Sequence, residues 1–268
     1  MKQLAVNIFK FYVFINFHVA LSVVALYLIF NRETDINYTA FLFFSTVSGY
    51  NFIRLFNFKG NRFFIKKFLI KHKKLVLFSL FISSLLSIYY YFRLDTFSRL
   101  ALIPFMLISF FYNYHFKFAP FMKLRNNGVV KIISVAVVWA GLTTLIPTLS
   151  NGHLSYESIL KFLWVFFYVI LLTLSFDQRD LYIDETELKT IPQLYRSKLL
   201  YIYLILSVIL GLLSLCIFKE KELIISFFII TLSAFSGYRS NEYKSYYYTA
   251  FWIEALPVFW LLILYLFT

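Results

Sequence analysis

Five of the chain's 13 carboxylates fall in one short segment, FDQRDLYIDETELKTIP (residues 176–192): Asp177, Asp180, Asp184, Glu185 and Glu187. Asp177, Asp180 and Asp184 are spaced i, i+3, i+7. A helix turning about 100° per residue gathers them within about 60° of arc. Three carboxylates on one face repel each other unless a cation stands among them. Hard oxygen ligands suit Mg²⁺, which keeps several waters and bridges to phosphate oxygens. The plainer expectation is a solvated loop whose acids pair with Arg179, Lys189, Arg196 or Lys198.

The elements that must position this segment are read from hydropathy. Of the 268 residues, 61% are hydrophobic and 15% charged, against about 45–50% and about 25% in soluble domains. Mean hydropathy is +0.75. Crossing a bilayer takes about 20 apolar residues at 1.5 Å rise. Apolar runs of about that length lie near 9–30, 38–57, 75–92, 98–116, 128–148, 158–176, 197–217, 223–239 and 248–267. The fold class expected is an all-α, polytopic membrane bundle of about nine transmembrane helices. No linker, soluble domain or tandem repeat interrupts the series, so 1–268 reads as one integral-membrane domain. Lys2 and Lys10 precede a first run too long for a signal-peptide core and without a clear small-x-small cleavage site, which reads as a retained helix.

Charge orients the bundle. With the N-terminus inside, the outward loops hold six basic residues: Arg32, Arg93, Arg99, Lys161, Lys219 and Lys221. The other 20 of the 26 lie on the inward side, among them Lys59, Arg62, Lys66, Lys67, Lys71, Lys73 and Lys74. Positively charged loops stay cytoplasmic, so the N-terminus is expected in the cytoplasm, the C-terminus outside, and the acidic segment on the cytoplasmic face. The net charge of +13 is then explained by topology and contact with anionic lipid, and nucleic acid is not an expected partner. The single cysteine, Cys216, excludes a disulfide, and His18, His72, His115 and His153 show no metal-ligand spacing. The 35 Phe and 21 Tyr fit an AT-rich genome as well as an aromatic-lined cavity.

The acidic segment resembles the second aspartate-rich motif of UbiA-type intramembrane prenyltransferases: Asp177-Gln178-Arg179-Asp180-Leu181-Tyr182-Ile183-Asp184, then Lys189-Thr190-Ile191-Pro192. The resemblance implies nine helices around a central cavity in a membrane such as the bacterial inner membrane. It also implies this motif after the sixth helix, with Asp177, Asp180 and Asp184 as Mg²⁺ ligands. A second family feature, Tyr followed five residues later by Lys, is matched by Tyr112 and Lys117, with His115 where Pro is usual and Phe118 where Arg is common. By resemblance Lys117 contacts the diphosphate of an isoprenyl donor, and Arg125 and Lys131 are weaker candidates for the same role. The bland reading of Lys117 is an interfacial lysine that snorkels.

The family's first motif, N-D-x-x-D-x-x-x-D, is matched only at Asn51. Its aspartate positions hold Phe52, Leu55 and Lys59, and two of these cannot bind a metal. Ionising an allylic diphosphate requires neutralising the leaving group, so two expectations stand. In one, Arg54 and Lys59 supply positive charge to the diphosphate beside one Mg²⁺, and the protein transfers an isoprenyl group to a lipophilic acceptor. In the other, the cations pair with the acids and the chain is a catalytically inactive or repurposed homologue. A third expectation, a transporter, rests on Glu254 inside the last apolar run, since an intramembrane acid faces a cavity or a partner. Asn16, His18 and Asn51 are expected to hydrogen-bond within the bundle.

Overall fold

A computed structural model of the chain describes residues 2–31, 33–56, 63–113, 127–150, 154–241 and 244–267, all in helices and short connections. In order the helices are α1 (Lys2–Phe14), α2 (Phe17–Phe30), α3 (Ile36–Phe56), α4 (Phe63–Lys71), α5 (Lys73–Arg93), α6 (Thr96–Asn113), α7 (Gly128–Ala140), α8 (Ile146–Ser150), α9 (Tyr156–Arg179), α10 (Ile191–Tyr195), α11 (Leu199–Ile217), α12 (Glu220–Tyr238) and α13 (Leu256–Phe267). Wider π turns, Gly141–Leu145 and Tyr248–Ile253, join α7 to α8 and lead into α13.

Among the described residues, six helical runs are long and apolar enough to cross a bilayer, or seven if the bent pair α1–α2 is one span. The expected segments 38–57 and 98–116 are helical where described, as α3 and α6, but do not meet that measure. The expected first span, 9–30, is not one straight helix. Its two halves meet at 60°, because Asn16 adopts the left-handed conformation, with φ 63° and ψ 21°. Asparagine tolerates that region better than most residues.

Helix α9 is the hub, packing against α7, α11 and α12, while α3 lies along α5 and α13 along α2. Its core is aromatic: Trp164 stands 4.7 Å from Trp260 and 4.8 Å from Tyr168, ring centre to ring centre. Phe30 and Phe218 close the cluster. These separations suit tilted and edge-on aromatic pairs. Two of the polar groups buried with the rings are paired: Trp164 Nε1 donates to Ser214 Oγ at 2.8 Å, and the Tyr168 and Ser233 hydroxyls pair at 3.1 Å; Trp260 Nε1 is buried without a hydrogen-bond partner. The last turn of α9 carries Phe176, Asp177 and Arg179 into the wall of a cavity.

Candidate functional site

A cavity of about 890 Å³ opens beside α9, walled by α2, α3, α5, α6, α7 and the start of α13. That volume lies within the range of about 300–1,000 Å³ common to small-molecule sites. Much of the wall is apolar, with Phe41, Leu102, Phe105, Met106, Trp139 and Leu142 among its residues. Charged residues enter from the end of α3 (Arg54), the start of α7 (Lys131), the end of α9 (Asp177, Arg179, Asp180) and the approach to α13 (Glu254).

Each of the three aspartates of the acidic segment meets a cation of the protein. Asp177 is 2% exposed, and its Oδ1 accepts from Lys131 Nζ at 2.5 Å. The same ammonium lies 3.8 Å from Asp184 Oδ2. Asp180 is held by both prongs of the neighbouring guanidinium: Arg179 Nε donates to Oδ1 at 2.8 Å and Nη2 to Oδ2 at 2.9 Å. Arg179 also donates to Thr249 Oγ1 and lies over the Tyr246 ring at 4.7 Å. The helix stops at Arg179, so Asp184 is reached through a turn in which its N–H donates to the Asp180 carbonyl at 2.9 Å. The three acids therefore do not share one helical face: Asp177 and Asp180 line the cavity, and Asp177 and Asp184 share the Lys131 ammonium.

Local chemistry explains why Lys131 reaches this place. Asn127 caps α7, its side chain accepting from the N–H groups of Val129 and Val130, as a short polar N-cap residue should. Gly128 then lets α7 start directly on the loop that follows the three aspartates. A β-carbon at 128 would stand 2.5 Å from Thr190 Cα and 3.0 Å from the Leu188 carbonyl oxygen. That loop is itself stitched by Gln193, whose Oε1 accepts from the Thr190 N–H and whose Nε2 donates to the carbonyls of Asp184 and Glu185.

The residues at the first-motif position serve the bend between α1 and α2. Where the helix breaks, backbone carbonyls lose their partners. Arg54 Nη1 donates to the Phe14 carbonyl at 2.5 Å and the Val13 carbonyl at 3.4 Å. Asn51, wholly buried, donates to the Ile15 carbonyl at 3.1 Å and accepts from Asn16 Nδ2 at 2.9 Å. The bundle-bonding expectation for Asn16 and Asn51 is met, and Arg54 both lines the cavity and braces the bend. His18 likewise bonds within the bundle, to Tyr12 Oη and the Phe251 carbonyl. Lys59, Lys117 and Arg125 lie outside the described residues.

Arg54 and the Asp177–Asp180 turn line one cavity; Lys59, the other cation of the paired-motif expectation, lies outside the described residues. The arrangement does not fit a magnesium ion held by all three aspartates, which needs oxygens at about 2.0–2.1 Å. Arg179 takes both oxygens of Asp180, and Lys131 stands between the other two acids. Glu254 lines the same cavity as Arg54 and Arg179. The prominence of Lys131 was only faintly legible in the sequence, because nothing in its spacing ties it to Asp177. Compared with protein families, curated proteins and solved structures, the chain matches none of them.

Proposed function

We propose that this protein is a UbiA-like membrane prenyltransferase that moves an isoprenyl group from an isoprenyl diphosphate to a lipophilic acceptor. The observation that supports it is the cavity itself. Arg54, from the segment at the first-motif position, the second motif (Asp177, Asp180) and Lys131 all line one largely apolar space. In this reading nine helices span the membrane, with the charged end of the cavity cytoplasmic. The isoprenoid tail lies along Phe41, Leu102 and Phe105, and the diphosphate lies toward Lys131 and Arg54.

The reaction breaks the allylic C–O bond, and the electron pair leaves on the diphosphate. Fixed cations aimed at that oxygen stabilise the leaving group most where water is excluded. The allylic cation forms beside aromatic faces, which attract positive charge. An electron-rich acceptor then attacks it, and a proton leaves the acceptor. No metal-dependent step is assigned, because the aspartates are turned to protein cations.

A second reading, a repurposed homologue that binds such lipids without transferring them, is favoured by those same pairs: Asp177 with Lys131 and Asp180 with Arg179. A radiolabelled isoprenyl diphosphate, given to purified protein in detergent with a panel of quinone precursors, haem and sugar phosphates, separates the two. Labelled product supports transfer. Saturable binding without product supports the repurposed homologue. Absence of both binding and product sinks both readings and leaves the transporter expectation, tested by Glu254-dependent flux in liposomes.

A further inference from the structure

We propose that Lys131 is the resident cation of the acidic segment: its ammonium stands between Asp177 and Asp184 and keeps a divalent metal out, so that removing it would create a metal site. The inference deepens the reading above and rests on it only for what the cavity holds.

Three observations carry it. One nitrogen contacts both acids, at 2.5 Å to Asp177 and 3.8 Å to Asp184, so the point a bridging ion would share is already filled by positive charge. That charge is tethered. Lys131 is one turn into α7, its N–H donates to the capping residue's carbonyl at 2.8 Å, and Gly128 seats the helix on the 188–190 backbone. Finally, Asp177 Oδ2 is buried without a hydrogen-bond partner, on a residue that lines the cavity. A buried carboxylate oxygen left open is costly, and it is the lone-pair site an added cation would use.

Subtracting the ammonium changes the chemistry of the place. Two carboxylates, one of them 2% exposed, would then share a pocket with no cation between them. Such a pair either takes up a proton or recruits a hard ion. Mg²⁺ and Mn²⁺ are bound by one or two carboxylates with waters completing the shell, which is the donor set left behind. Lys131→Met keeps the length and apolar stem of the side chain while deleting its charge.

The experiment is a Mn²⁺ titration followed by electron paramagnetic resonance on the full chain in detergent, with no isoprenoid present. The wild type is expected to leave the free-Mn²⁺ signal unchanged through the micromolar range. Lys131→Met should bind one Mn²⁺ at least tenfold more tightly, and adding Asp177→Asn to that variant should abolish the gain. Lys131→Gln repeats the test if the methionine variant aggregates, and Lys131→Arg, keeping the charge, should behave as wild type. One Mn²⁺ bound by wild type and lost in Asp177→Asn overturns the proposal. So does a monodisperse Lys131→Met or Lys131→Gln that binds no better than wild type. Prenyl transfer plays no part in any arm, so failure here and failure of the transferase reading are told apart.

Discussion

Replacing Gly128 with alanine sets two effects of opposite sign against each other. Alanine in place of glycine favours a helix by up to about 1 kcal/mol, and by less at the first helical residue. Against this, the new β-carbon would fall 2.5 Å from Thr190 Cα and 2.8 Å from its nitrogen, where carbon atoms rest at about 3.5–4.0 Å. The opposing atoms are backbone, so no rotamer relieves them. Helix α7 and the 188–190 loop must part by about 1 Å, and overpacking of this kind costs about 1–3 kcal/mol. The clash is expected to win by about 1–2 kcal/mol. For a chain of this size that corresponds to a fall of about 2–8 °C in melting temperature. Gly49 supplies the control, because a β-carbon there meets nothing within 4 Å, and Gly49→Ala should hold or raise the melting temperature. Thermal unfolding of both variants in detergent reads the result. If Gly128→Ala rises alongside Gly49→Ala, the close approach that seats Lys131 is not a feature of the protein.

The Lys131–Asp177 pair should behave as a coupled unit. Losing one partner of a buried pair costs about 3–5 kcal/mol, less here because the Lys131 side chain is 22% exposed. Lys131→Met and Asp177→Leu are each expected to lower stability by about 2–3 kcal/mol. The double variant should cost less than their sum, and strict additivity would refute the pairing. Asn51→Leu leaves the Ile15 carbonyl and Asn16 without a buried partner, for an expected loss of about 1–3 kcal/mol. Asn51→Leu melting at or above the wild-type temperature would rule out the brace across the α1–α2 bend. At the start of α6, burial alone would raise the Asp95 carboxyl pKa. Hydrogen bonds from Ser98 and the backbone outweigh it and hold the value below the ordinary 3.8. The folded-state value is depressed, so this cap's contribution is complete above the unfolded value and is lost as pH falls below it. Melting curves of wild type and Asp95→Ala should therefore differ near neutral pH and converge below about pH 3.8. A constant difference across that window would refute the role.

The membrane class was written in composition, because apolar runs of bilayer length have few other solutions. Most helix positions followed directly: 75–92 and 158–176 lie within α5 and α9, and 197–217 is α11 from Leu199 onward. The break at Ile15–Asn16 did not follow. Hydropathy does not register a single left-handed residue, and the side chains that make the bend tolerable, Asn51 and Arg54, lie 35 or more residues away. The same limit applied to the site. A carboxylate spacing of three and seven says which acids can share a face only while the helix lasts, and α9 ends at Arg179.

By itself, then, the sequence determined that this chain is a helical membrane protein, where most of its helices lie, and that its acids gather after one of them. Those properties follow from local composition and from the period of the α-helix. Only the tertiary structure decided which cation answers which acid. Arg179 takes Asp180 from the next position in the chain, whereas Lys131 comes to Asp177 from 46 residues away on another helix. Pairing across such a distance depends on how α7 packs against α9 and on the missing side chain at Gly128, and no periodicity in the sequence encodes it.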